Sequence, residues 1–428
     1  MDSFEVIVVG AGLAGLAAAY TLADAGVEVV VLERGDYPGA KNVSGGRLYL
    51  NPVRGLFPDL WEGAPLERAV VHEGFSLVTE ERSVTIRYTG AELRAEPHQS
   101  HTVLRSRFDR WLAERAEEKG ALILPRTRVD RLLQEGAKVT GVVAGGDELG
   151  AKVVIACDGV LSLISESAGL RAPVSPPHCG VGVKEVIELD PERINDRFGV
   201  ADGEGAAHLY VGEVTGGRFG GGFVYTNRDS VSIGLVLGLQ SASEDGGSED
   251  LPTLLDRFKE RPEVAPLLRG GRTVEYGAHL IPEGGREAVG RLSGDGILVA
   301  GDAAGLALNL GVTVRGMEYA LASGHWAARA VLQARESADF GRESLAAYDR
   351  MLAESFVGQD LDSFREGPAV RENPRWFGHY PDLVGSVFRD LYAIPDGPKM
   401  RLYPTLRKHL TVAELWGVFK DLRAARKL

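Results

Sequence analysis

Residues 10–15 read Gly-Ala-Gly-Leu-Ala-Gly, and the chemistry open to them is that of the backbone. No side chain here can attack a bond or move a proton. Three glycines at this spacing can, however, bring a main chain up against a diphosphate. Gly10 permits the tight turn, Gly12 leaves room for the phosphates, and Gly15 lets a following helix pack closely on the preceding strand. Ala11, Leu13 and Ala14 complete the loop, where the helix N-terminus offers unpaired N–H groups to negative charge. Glu33 lies 23 residues after Gly10 and is followed by Arg34. That is near the spacing at which a carboxylate binds an adenosine ribose hydroxyl. Two later runs, AKVVIACDG and GDGILVAGDAAG, end in Asp158-Gly159 and Gly301-Asp302. An aspartate at such a turn can hydrogen-bond sugar or ribityl hydroxyls, and a helix start favours the charge of a reduced flavin. Each pair alone also fits an ordinary turn. In this order the three point to FAD rather than NAD.

These residues need strands and helices to hold them. Phe4 to Val9 is a continuous apolar run, as in a strand buried on both faces. Leu13 to Ala25 is rich in Ala and Leu and predicts a helix, and Val27 to Leu32 predicts the next strand. The uncharged stretch Val6 to Ala23 is long enough to raise a membrane span, but its glycines and its change of period argue for strand, turn and helix. The acidic lead-in, Asp2 and Glu5, is unlike a secretion signal. A helix is also predicted over Met317 to Ala334. In TVLRSRFDRWLAERAEEKGA, Ser106 and Asp109 read as a capping-box variant, with Phe108, Leu112 and Ala116 on one face. Arg105 then sits just before the helix, where it pairs either with a pyrophosphate or with a local carboxylate.

Composition narrows the class. The chain has 428 residues, a net charge of −12 and 55 glycines. The acidic balance makes nucleic acid an unsuitable partner, and the glycine content suits several backbone-lined ligand turns. Two cysteines, Cys157 and Cys179, cannot form a disulfide framework or a cysteine-ligated metal site, and they suggest a reducing compartment. The nine histidines show no metal-ligand spacing, His98 and His101 included. From Arg401 to Leu428 seven basic residues stand against Glu414 and Asp421. This is either a solvated helix face or a docking surface for an acidic partner or anionic lipid.

GAGLAG with Glu33, PGAKNVSGGRLY, VLRSRFDRWL, ACDG, CGVGVKEVIEL, GGGFVYTN and GDAAGLALNLGVTVRGMEYALASG together resemble the FixC proteins. These are the flavoprotein subunits of the electron-transfer-flavoprotein:quinone oxidoreductase group. The resemblance runs nearly end to end. The dinucleotide turns are shared by a wide superfamily, whereas AKNVSGGRLY and GVGVKE are more specific. The resemblance implies a non-covalent FAD held in a fold related to aromatic hydroxylases. It implies that Gly10, Gly12, Gly15 and Glu33 hold the ADP half and that Arg105 meets the pyrophosphate. Asp158, Gly159 and Asp302 then lie along the pyrophosphate and ribityl. Ser44, Gly45 and Gly46 run beneath the isoalloxazine, and Gly311 and Val312 meet its pyrimidine edge. Lys41 and Asn309 are either cofactor ligands or satisfied structural residues. Single-chain members carry an iron–sulfur domain needing four cysteine thiolates. Two cysteines cannot hold that cluster, so it is expected on a separate ferredoxin-like protein, alongside electron transfer flavoprotein subunits and a quinone.

The expected architecture is α/β: a Rossmann-like FAD-binding domain (1–72, 102–178 and 276–340) with an inserted antiparallel-sheet quinone domain (73–101 and 179–275). A helical C-terminal region (341–428) follows as the candidate partner and membrane face. The acidic stretch Gln240 to Asp250 reads as a solvated connection. A cytoplasmic protein resting on the membrane surface is the expected setting. The rival readings are a prenyl-lipid (geranylgeranyl-type) reductase, an aromatic hydroxylase, and a flavin-bearing assembly subunit without turnover of its own.

Overall fold

A computed structural model describes residues 2–42, 45–244 and 249–428. The strands of the first part are β1 (Asp2–Val9), β2 (Val29–Leu32), β3 (Gly46–Tyr49), β4 (Ala69–Val78), β5 (Ser83–Thr89), β6 (Ser100–Val103), β7 (Leu122–Leu124), β8 (Val129–Glu135), β9 (Lys138–Ala144) and β10 (Asp147–Ala156). Then come β11 (Cys179–Glu188), β12 (Glu204–Gly212), β13 (Gly220–Thr226), β14 (Ser230–Gly238), β15 (Arg272–Pro282), β16 (Ser293–Gly294) and β17 (Ile297–Val299). The main helices are α1 (Leu13–Asp24), α2 (Arg105–Glu118), α3 (Met317–Ser337), α4 (His379–Tyr392), α5 (Leu402–His409) and α6 (Val412–Ala425).

The apolar opening run folds as strand, turn and helix. Val6, Ile7 and Val8 have no exposed surface because β1 is central, paired in parallel to β2 on one side and β10 on the other. β17 continues in parallel beyond β10, and β7 beyond β2. In the order β17-β10-β1-β2-β7 the chain's direction of travel reverses at β1. Open parallel sheets leave a crevice at that switch point, beyond the carboxyl ends of the strands. Gly10, Asp158 and Gly301 follow β1, β10 and β17, so the three turns meet there. α1 and α3 pack behind them at backbone distance. A Cβ on Gly324 would fall 2.0 Å from the Ala14 carbonyl oxygen.

The second sheet has the order β15-β11-β14-β13-β12-β4-β6-β3, with β5 on β4. Its pairs are antiparallel except β4 with β12, which run parallel from Glu204 opposite Ala69 to Gly212 opposite Val78. The sheet takes in β3 and the end of β15, beyond the expected 73–101 and 179–275 limits. Pairing of Gly46 with Val103 therefore stitches the Gly45-Gly46 loop directly into it. One face is closed by an apolar cluster that includes Ile233, Leu235 and Phe258.

Several boundaries differ from the sequence expectation. β2 begins at Val29 rather than Val27, and α3 runs to Ser337 rather than Ala334. α2 begins at Arg105 itself, with an extended Leu104 as N-cap and no side-chain cap bond, so the Ser106–Asp109 capping box does not form. Asp109 is drawn elsewhere: it is fully buried and takes Arg105 and Asn42 as partners. Part of the stretch expected as a solvated connection is helical, Leu239–Glu244, and residues 245–248 lie outside the described residues. Among the described residues no helix is long and apolar enough to cross a membrane.

Candidate cofactor and substrate cavity

A cavity of ≈ 720 Å³ runs from the turn after β1 to the face of the second sheet. Its walls show why each glycine of the first turn is a glycine. Gly10 has φ +99°, and a Cβ there would meet the Cys157 carbonyl oxygen at 2.5 Å. A Cβ on Gly15 would fall 2.0 Å from the Gly10 carbonyl oxygen. A Cβ on Gly12 would meet nothing within 4 Å, and this residue opens onto the cavity at the N-terminus of α1. Two positions are filled by protein and the third is left free, which is the shape a pyrophosphate requires. Leu13 and Ala14 also line the cavity, whereas Ala11 and Gly15 do not. The Ala11 N–H instead donates to Glu33 Oε2 at 2.8 Å, and the Gly35 N–H donates to Oε1 at 2.6 Å. Glu33 thus braces the turn while facing the cavity beside Arg34.

The other two turns supply partly buried carboxylates. Asp158 Oδ2 accepts from the Ile164 N–H at 3.0 Å, and its Oδ1 is buried without a partner. Burial raises the carboxyl pKa of Asp158 and of Asp302, and Arg105 and Arg171 partly oppose the shift at Asp302. An orphaned buried acceptor facing a cavity fits a ligand bearing hydroxyl donors. Gly159 and Gly301 both have positive φ, +79° and +66°. Arg105 resolves toward the local carboxylate: Nε and Nη2 donate to Asp109 at 2.7 and 2.8 Å. It still lines the cavity, as does the exposed Lys41.

At the far end Gly45 has φ +86°, and a Cβ there would meet Ser232 Oγ at 2.1 Å. Gly45 therefore lies flush against β14, and Gly46 lies beside Met317. Ser44 lies outside the described residues. Asn309 is a structural hub: Nδ2 donates to both Glu283 oxygens at 3.3 and 3.2 Å, and Oδ1 accepts from the Gly311 N–H at 2.9 Å. Gly311 lines the cavity, but Val312 is 60% exposed and is not part of its wall.

Sequence reasoning missed several wall residues, and also Arg171, which bonds a wall turn without itself lining the cavity. Thr127 to Arg131 close the end beside Glu33, and no local motif marks them. Arg171 ties two turns together, donating to the Ser162 hydroxyl and to the Asp302 and Ala303 carbonyls at 3.1, 3.0 and 2.8 Å. The C-terminal region, expected as a helical cap and candidate partner and membrane face, sends Arg371 and Phe377 into the wall. Arg371 pairs with Glu283 at 2.8 Å and donates to the Asn309 carbonyl at 3.1 Å. Phe377 stands edge-on to Phe219, with centroids 5.6 Å apart.

Comparison with known proteins settles the family. A family model described as an FAD binding domain matches residues 3–192, and one described as ETF-QO, ubiquinone-binding matches residues 179–281. Protein FixC of Escherichia coli (strain K12) is 46% identical over 420 residues, covering 98% of this chain and 97% of that protein. The chain belongs to the FixC and electron transfer flavoprotein-quinone oxidoreductase family. The protein "Probable electron transfer flavoprotein-quinone oxidoreductase YdiS" of the same strain is also 46% identical, with the same coverage. A solved geranylgeranyl bacteriochlorophyll reductase-like protein from Thermoplasma acidophilum shares the fold, with TM-score 0.74 and 20% identity over 99% of this chain and 100% of that one. Membership makes the protein an FAD-dependent oxidoreductase and FAD the group the cradle is built for.

Two substitutions in one motif are expected to behave differently. Gly12→Val keeps an extended backbone, φ −86° and ψ −177°, and meets open space, so it folds but blocks the pyrophosphate and loses FAD. Gly15→Val drives a side chain into the Gly10 carbonyl and is expected to lose the fold itself. Circular dichroism and flavin content of both purified variants check this. A folded Gly12→Val with full flavin would place the pyrophosphate elsewhere.

Proposed function

We propose that the protein passes electrons between an electron transfer flavoprotein and a membrane quinone, together with a separate ferredoxin-like iron–sulfur protein. Bound FAD supplies the redox chemistry; the chain's residues bind it, place it and shape the neighbouring space. The observation that carries this reading is the continuity of the cofactor cradle with the wall built by β11, β13 and β15. Along that wall, Gly220 to Gly222 present bare backbone between Phe219 and Phe223, with Phe377 opposite Phe219. A flat apolar slot of this kind suits a planar quinone head, and these strands fall within the span matched by the ubiquinone-binding model. Gly10, Gly12, Glu33, Arg34, Asp158 and Asp302 would hold FAD through its ADP and ribityl parts. Gly45, Gly46 and Gly311 would flank the ring.

A quinone with an isoprenoid tail stays in the bilayer, so the protein must come to it. α6 supports this through reversed amphipathicity. Its polar residues Glu414 and Asp421 turn inward, where Arg375 reaches both, at 2.9 and 2.8 Å. Its apolar residues Val412, Leu415, Trp416, Phe419 and Leu422 turn outward, each more than half exposed. Leu402 and Tyr403 of α5 are also exposed. An apolar face ringed by Arg401, Lys420, Arg423 and Lys427 fits an anionic lipid surface, where each basic residue adds about 1 kcal/mol.

Anaerobic mixing of the FAD-loaded protein with its reduced cognate electron transfer flavoprotein is expected to bleach the flavin, and NADH or NADPH alone is expected not to. Bleaching by NADPH without the flavoprotein would favour a hydroxylase-like or prenyl-reductase cycle. Trp416→Glu combined with Phe419→Glu is expected to abolish sedimentation with anionic liposomes while flavin content stays normal. These positions leave the inward ion pairs intact. Undiminished sedimentation would move the membrane contact elsewhere.

A further inference from the structure

Lys184 is a wall residue with no carboxylate partner among the described residues. On β11 side chains alternate between two faces. Val183 packs in the sheet's apolar cluster, and Glu185 on the same side takes Lys259 and Thr273 at 2.9 and 3.0 Å. Gly182 and Lys184 face the cavity. Lys184 is paired across the sheet with Gly234 on β14 and Gly277 on β15, and the Phe223 ring lies over Gly234, in the space a side chain there would take. Its ammonium contacts the Gly45 carbonyl at 3.4 Å and lies 5.5 Å from the Phe223 ring centroid. Among the described residues no carboxylate pairs with it. The neighbouring His279, opposite Gly182 on β15, brings no negative charge, and burial with Lys184 close by lowers its pKa to about 4. Burial, reinforced by Arg105, likewise lowers the Lys184 pKa to about 8.

We propose that Lys184 is the counter-charge for reduced FAD, and so sets how much more tightly this cavity holds the reduced than the oxidised cofactor. The proposal rests on the reading that Gly45 and Gly46 lie beneath the isoalloxazine. Two-electron reduction with uptake of one proton leaves one negative charge on the ring system. An ammonium on the adjoining wall stabilises that form and does little for the neutral oxidised ring. The cost of keeping an unpaired ammonium in the wall is then recovered only when the cofactor is reduced.

The test is the reduction potential of bound FAD in wild-type protein, Lys184→Met, Lys184→Gln and Lys184→Arg, measured by dye-coupled anaerobic titration. Lys184→Met is expected to weaken binding of reduced relative to oxidised FAD at least tenfold, a drop of about 30 mV for a two-electron couple. Lys184→Gln is expected to follow it and Lys184→Arg to stay near wild type. The affinity for sulfite, which adds to the ring as an anion, is expected to fall in parallel. A Met or Gln variant with normal flavin content and an unshifted potential overturns the proposal. It is equally overturned if both neutral variants lose oxidised FAD while Lys184→Arg keeps it, since the lysine would then hold the cofactor regardless of redox state. Absence of FAD from the wild-type protein would instead sink the cofactor placement.

Discussion

The backbone-to-backbone packing of α1 against α3 is the constraint on which the rest depends. Gly324 sits so close to the Ala14 carbonyl that no side chain fits, and a Cβ on Gly301 would fall 2.8 Å from the Ala14 methyl. Close packing behind the sheet holds the turns after β1 and β17 together, and the parallel pairing of β1 with β10 adds the turn at Asp158. One crevice then receives a helix N-terminus, two partly buried carboxylates and the edge of Glu33. None of these elements could assemble the site by itself. Loosening the helix pair by a single methylene would part the turns.

The second sheet answers a different physical demand. A redox cofactor needs its ring near a partner, and bulky side chains would prevent approach. The wall carries glycines at Gly182 and Gly220 to Gly222, where an added Cβ would run into Ile281, Val236, Tyr210 or Phe258, and aromatic rings at Phe219, Phe223 and Phe377. Arg371 closes the far end through Glu283 and Asn309, so the C-terminal region is bonded to the loop that carries Gly311. The outer face of that same region, on α5 and α6, presents apolar residues to solvent. The exposed apolar surface and the end of the cavity thus belong to one C-terminal region.

Local rules made the first half of this legible and could not reach the second. GAGLAG, ACDG and GDAAG announce themselves because each is a short strand-to-turn unit whose glycines answer to nearby backbone. Their order along the chain carried the fold of the FAD-binding part. Arg171, Thr127 to Arg131, Lys184 and Arg371 carry no such signature. They are placed by partners distant in sequence, 62 residues away for Arg371 with Asn309 and more than a hundred for Arg171 with Ala303 or Lys184 with Gly45. Asp109 illustrates the converse. Its spacing from Ser106 suggests a cap, but a buried carboxylate takes the strongest donor available, and Arg105 one turn away outcompetes the backbone. The parallel pairing of β4 with β12 was likewise invisible, because it joins two separate excursions of the chain.

The proposed function requires that the cavity bring a quinone against FAD. The most direct measurement is anaerobic reoxidation: FAD-loaded protein, reduced with dithionite and freed of excess, is mixed with a short-tailed quinone and followed by flavin absorbance. The account predicts rapid return of the oxidised spectrum with about one quinol formed per FAD. A flavin that stays reduced with quinone, yet is reoxidised by a prenyl-lipid double bond, would contradict it.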